Sequence, residues 1–87
     1  MAEKAVTVFV TCTGHDPYCH AYEDHTYFLT VKVDAMVNFG MDQNESYRYC
    51  LLYEGAQCDD MDPVDEYGPG PTACDLWERY HPGAGAG

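Results

Sequence analysis

The chain has 87 residues, 46% of them hydrophobic, and sets fifteen Asp and Glu against four Lys and Arg for a formal net charge of −11. That length fits one domain. A field of that sign repels nucleic acid and attracts basic protein surfaces, so direct nucleic-acid binding is not expected. Blocks of β-branched and aromatic residues, absent from disordered acidic chains, argue against disorder.

Taken in chain order, Ala5 to Cys12 alternates Val6, Val8, Val10 and Cys12 with Ala5, Thr7, Phe9 and Thr11, the period of a strand. Thr13 to Asp24 holds Gly14, Pro17 and two His and reads as a loop, with room for an added two-stranded element. Tyr27 to Phe39 places Tyr27, Leu29, Val31, Val33, Ala35, Val37 and Phe39 on one side of a period of two, which predicts a second strand. Gly40 to Glu45 is a turn, and Ser46 to Glu54 predicts a third strand with Tyr47, Tyr49, Leu51 and Tyr53 on one face. Gln57 to Pro71 is acidic, rich in Pro and Gly, and without period. Thr72 is placed to cap a helix over 73–81, in which Cys74, Leu76, Trp77 and Tyr80 form a stripe and Pro82 is the stop. Trp77 then anchors this helix on the sheet, and its loss should cost about 3–5 kcal/mol.

The expected fold is therefore α+β: a three-stranded antiparallel sheet (about 5–12, 27–39 and 46–54) with a short C-terminal helix (about 73–81). Residues 1–81 form one small acidic domain, and the Gly/Ala tail at 82–87 is expected to fray. The sequence shows no secretory signal and no apolar run near the ~20 residues of a membrane span, which predicts a cytoplasmic chain. In that compartment Cys12, Cys19, Cys50, Cys58 and Cys74 are reduced, and some pack as small apolar groups.

Four side chains in the His-bearing loop, Cys12, His15, Cys19 and His20, are of the right type to ligate zinc, with His25 nearby. The spacing is a poor match, because all four come from one short segment and Cys19 and His20 are adjacent. A Cys–His nucleophile drawn from the same residues would need an activating environment, and acidic neighbours oppose a thiolate. The run Asp59-Asp60-Met61-Asp62-Pro63-Val64-Asp65-Glu66 lacks the alternation of a calcium loop. Asn44-Glu45-Ser46 is a sequon, relevant only to a secreted chain. No catalytic signature is present, so no enzymatic activity and no cofactor are expected beyond the zinc option.

The acids themselves are the strongest signal. Glu54, Asp59, Asp60, Asp62, Asp65 and Glu66 fall within thirteen residues, and no base occurs between Glu54 and Arg79. Eight Tyr is high for this length, and Tyr53 and Tyr67 flank the run. Tyr is favoured at interfaces, where it supplies contact area at small entropic cost. These eight positions form the expected contact surface for a protein with a basic, nucleic-acid-binding groove.

Small size, extreme acidity and the lack of catalytic motifs make the chain similar to the small acidic inhibitors of phages, DNA mimics and anti-CRISPR proteins. The resemblance is one of composition and architecture, and it implies a phage protein that acts in the host cytoplasm by occluding its partner. The alternatives are a cysteine-rich secreted effector or toxin domain held by disulfides and, third, a small zinc-binding interaction module.

Overall fold

The computed structural model describes residues 5–78. Strands β1 (Ala5–Thr11), β2 (Tyr18–Glu23), β3 (Tyr49–Tyr53), β4 (Ala56–Gln57) and β5 (Thr72–Glu78) form one five-stranded mixed sheet in the order β2-β1-β5-β3-β4. The two central strands, β1 and β5, run parallel, and the other pairs are antiparallel. One helix, α1 (Phe28–Asn38), packs on the sheet, and a 3₁₀ helix over Gln43–Arg48 leads into β3.

The expected three-stranded antiparallel sheet with a C-terminal helix is therefore overturned. Residues 28–38 are helical. Phe28, Val31, Lys32, Ala35 and Met36 are buried there, the i, i+3, i+4, i+7, i+8 stripe of a helix face. The same segment also alternates at period two, but Leu29 and Val37, which the strand reading would bury, are exposed. Short apolar runs often satisfy both templates, and here packing chose the helix. Its C-terminus closes as a Schellman motif: Met41 N–H donates to the Met36 carbonyl (2.8 Å) and Gly40 N–H to that of Val37 (3.0 Å), with Gly40 at φ 78°.

Residues 72–78 form a strand in which Thr72, Cys74 and Leu76 are buried and Ala73, Asp75 and Trp77 exposed. Strand β5 is paired on both edges, to β1 and β3, so its backbone groups are satisfied by the ladder that a helix would forgo. Thr72 is thus a strand residue, and Trp77, 53% exposed, does not anchor the core. The last residues of the expected helix, 79–81, and the tail lie outside the described residues. The strand expected over 5–12 forms at Ala5–Thr11, the one over 46–54 is shortened to Tyr49–Tyr53 by the 3₁₀ helix, and β2 occupies part of the expected loop.

The core lies between α1 and the sheet. Val6, Val8 and Val10 of β1, Leu51 of β3, Cys74 and Leu76 of β5 and Tyr22 of β2 meet Phe28, Val31, Ala35 and Met36 of α1, with Cys58 and Val64 closing one end. No helix among the described residues is long and apolar enough to cross a membrane.

Candidate functional site

Strand β3 turns into β4 through Glu54 (φ 50°) and Gly55 (φ 86°), and Tyr53 pairs with Ala56. Two positive-φ residues between paired strands make a type I′ hairpin, the connection whose twist matches the strands. The chain then leaves the sheet and returns to β5 through the acidic segment. That segment is anchored by buried side chains at Cys58 and Val64 while Asp59, Asp65 and Glu66 point outward. Asp59 forms a local turn by accepting from Met61 N–H (2.9 Å), and Glu66 N–H donates to the Pro63 carbonyl (3.0 Å).

The segment is also stitched to the start of α1. Phe28 N–H donates to the Asp62 carbonyl and Leu29 N–H to the Asp60 carbonyl, both at 2.9 Å, and Val64 N–H donates to the Thr26 carbonyl at 2.8 Å. The first helical N–H groups, which need partners from outside the helix, find them in the acidic segment.

Of the six expected contact acids, five have no basic partner among the described residues. Lys32, 1% exposed, reaches Asp60 through Nζ at 3.0 and 3.1 Å and also donates to the Tyr49 carbonyl. Arg48 is held by Glu45 (3.3 Å) and Glu78 (3.1 Å). Lys32 and Arg48 are the basic residues among those described, and neither pairs with Glu54, Asp59, Asp62, Asp65 or Glu66. Asp60 is therefore a structural residue, and Lys32, which lies outside the apolar set of the expected strand over 27–39, is a core residue. The signal that would have found it is its place on the helical stripe four residues after Phe28.

Two of the expected tyrosines come together in this surface. The rings of Tyr53 and Tyr67 stack at 4.3 Å with an interplanar angle of 14°, and Phe28 lies 5.9 Å from Tyr67 on the inner side. The charge of Glu54 raises the Tyr53 phenol above its ordinary value, so it stays protonated and able to donate. Cys58 and Cys74 are both buried in the core. The neighbouring Cys74 thiol lowers Cys58 from its ordinary value, and Cys58 together with burial raises Cys74. None of the five cysteines is joined in a disulfide.

The zinc candidates are spread apart. Cys12 and His15 sit in a turn closed by His15 N–H to the Cys12 carbonyl (3.0 Å), and the His15 ring packs on Phe39 at 4.9 Å. Cys19 and His20 are successive residues of β2, so they face opposite sides of the sheet. His20 lies against Tyr22, while Cys19 is across from Phe9 on the side away from α1. His25 approaches Glu23 (3.4 Å) and Asp24 (3.5 Å). Among the described residues no three His, Cys, Asp or Glu form a group that could hold a metal ion.

The sheet face opposite α1 carries large exposed side chains other than the expected contact residues. It presents Phe9 and Trp77, 37% and 53% exposed, with Thr11 hydrogen-bonded to Asp75 between them. The alternation of β1 carried this information for Phe9; Trp77 was hidden by the helical reading of its segment.

No protein-family model matches the chain, and no curated protein sequence matches it. Solved structures do. The N-terminal ubiquitin-like domain in the 4931431F19Rik protein superposes with a TM-score of 0.69 at 15% identity, over 92% of this chain and 80% of that one. The ubiquitin of Caldiarchaeum subterraneum gives 0.70 at 13% identity, over 91% and 99%. A de novo protein based on ubiquitin gives 0.69 at 13%, over 88% and 92%. At such identities the likeness concerns the backbone alone, and on that ground the fold is ubiquitin-like.

Proposed function

We propose that the chain is a non-enzymatic docking module whose acidic surface occupies the basic, nucleic-acid-binding groove of a partner protein and thereby inhibits it. The observation that carries this reading is the set of five carboxylates, Glu54, Asp59, Asp62, Asp65 and Glu66, that no described basic side chain neutralises. Carboxylates spaced along a rigid loop compete for the Lys and Arg side chains that track a phosphate backbone. The Tyr53–Tyr67 stack offers those side chains an aromatic face. A ubiquitin-like fold suits a docking module and says nothing of which partner is bound.

Five cysteines with no disulfide among them support a reducing, cytoplasmic setting over a secreted domain held by disulfides. The exposed Phe9 and Trp77 favour a second docking surface on the sheet face opposite α1.

The test is capture from host lysate on the wild-type chain and on a variant carrying Asp59→Asn, Asp62→Asn, Asp65→Asn and Glu66→Gln. A nucleic-acid-binding protein retained only by the wild type and released by duplex DNA supports the proposal. Retention of the same proteins by both chains overturns it.

A further inference from the structure

Asp24 follows the last residue of β2 and Asp65 lies in the acidic segment, yet both line one cleft. Glu23 pairs with Ala5, which sets the end of β2 beside the start of β1. The chain then turns, with Thr26 N–H donating to the Glu23 carbonyl (2.9 Å), and the Thr26 carbonyl accepts from Val64 N–H (2.8 Å), one residue before Asp65. Gly68 N–H donates to the Asp65 carbonyl (2.9 Å) and turns the segment back toward β1, where a Cβ on Gly70 would already meet Val6. Ala5, Val6, Asp24, Asp65, Gly68 and Pro69 line the resulting cleft of about 520 Å³. We propose that this cleft receives an arginine side chain of the partner protein, with the Asp24 and Asp65 carboxylates holding its guanidinium.

The cleft has apolar walls, Ala5, Val6 and Pro69, and the charged groups lining it are both carboxylates. A long cationic side chain fits such a site, because its stem covers apolar surface while its head stays at the charges. Neither carboxylate is neutralised by a described Lys or Arg, since Lys32 is held by Asp60 and Arg48 by Glu45 and Glu78. Asp24 has the His25 imidazole at 3.5 Å, a distance well beyond a charge-assisted hydrogen bond. Gly68, at φ 117°, has nothing within 4 Å of its Cβ position, so the wall it forms is open to an entering side chain. A guanidinium suits two carboxylates better than an ammonium does, because it is planar, weakly hydrated and presents its donors in a fixed fork. An anion is repelled by both walls.

The cleft is distinct from the rest of the acidic run. Asp59, Asp62 and Glu66 are not among its lining residues, and Asp24 belongs to a loop outside that run. That the arginine comes from a basic groove rests on the docking reading above; the affinity of the cleft for a guanidinium does not. A seated arginine gives the end of β2, the start of β1 and the acidic segment one shared ligand. It adds a choice of side chain to the general attraction of a chain of net charge −11 for basic surfaces.

The experiment titrates the isotope-labelled full chain at low salt with Nα-acetyl-argininamide, and with Nα-acetyl-norleucinamide as the uncharged control, and follows the backbone amides by heteronuclear NMR. The expected result is a set of saturable shifts at Ala5, Asp24, Asp65 and Gly68 with the arginine compound, absent with the norleucine compound and weakened several-fold by Asp24→Asn. Shifts centred on Asp59, Asp62 and Glu66 with the cleft amides unmoved overturn the proposal and leave the docking reading standing. Cleft shifts in a chain whose captured partner ignores neutralisation of the acidic run support the cleft and overturn the docking reading. Shifts that appear only with Lys4→Ala assign the cleft to this chain's own ammonium and overturn the proposal. The wild-type titration decides the question even if a variant fails to fold.

Discussion

The Lys32 ammonium is buried on the core stripe of α1 and lies 3.0 Å from Asp60 Oδ1, whereas the Asp60 side chain is 36% exposed. The two partners are therefore unequal. Removing the carboxylate strands a charge in the core, which costs about 3–5 kcal/mol, while removing the amine leaves a carboxylate that water can reach. Asp60→Ala should lower stability by that amount. Lys32→Met, which keeps the stem volume, should be near neutral, and the double variant should recover most of the loss. Denaturant unfolding of the three variants checks this; equal losses for the two single variants would contradict it.

A pH dependence follows from Tyr22. Burial, the Tyr18 hydroxyl and the Asp34 carboxylate, to which Tyr22 donates at 2.9 Å, raise its phenol far above the ordinary value of 10.0. Unfolded, the phenol loses its proton near that value; folded, it keeps it. Its contribution is complete below about pH 10 and is lost as pH rises above it, because the native state then binds more protons than the unfolded one. Cys74, raised from 9.0, acts with the same sign. Stability should fall from pH 9 upward, and Tyr22→Phe should flatten that slope while lowering stability at neutral pH by about 1.5–3 kcal/mol for a bond to a charged group. Thermal unfolding between pH 7 and 11 measures both.

Gly70 holds the entry to β5. Its φ is 84°, and a Cβ there would lie 2.9 Å from Val6 Cγ1 and 3.4 Å from the Thr7 carbonyl oxygen. Backbone strain and overpacking against a buried valine add, so Gly70→Ala should destabilise by about 1–3 kcal/mol or more. Gly14, with nothing within 4 Å of its Cβ position, is the matched control that meets only the backbone strain.

How far the sequence is legible depends on which pattern is unique. Strand β1 was readable because Val6, Val8 and Val10 fit no helical face. Segment 28–38 was not, since Val31 and Ala35 belong to both a period-two and a helical set, and Lys32, which distinguishes the two, looks wrong for a core until Asp60 is seen to pair with it. Segment 72–78 was misread because Cys74, Leu76 and Trp77 mimic a helical stripe, and only pairing with β1 and β3 makes it a strand. The acidic surface was legible as charge, but Asp60's internal role and the Tyr53–Tyr67 stack arise from contacts that local spacing does not encode.

The exposure of Trp77 revises one expectation directly. Trp77→Ala should cost about 1 kcal/mol or less, the scale of a cross-strand pair, in place of the several expected for a buried ring. Chemical denaturation decides between these values. A small loss of stability joined to a loss of binding would place Trp77 in a contact surface.

The central claim is that the carboxylates of Glu54, Asp59, Asp62, Asp65 and Glu66, which no described basic side chain neutralises, dock a basic partner. The most direct test is a titration of the captured partner with the wild type and with the chain carrying Asp59→Asn, Asp62→Asn, Asp65→Asn and Glu66→Gln, from low to physiological salt, with thermal unfolding to show that both are folded. The account predicts affinity that weakens with salt for the wild type and a loss of about tenfold or more, 1.4 kcal/mol, in the neutralised chain. Equal affinities for the two folded chains across the salt series would contradict it.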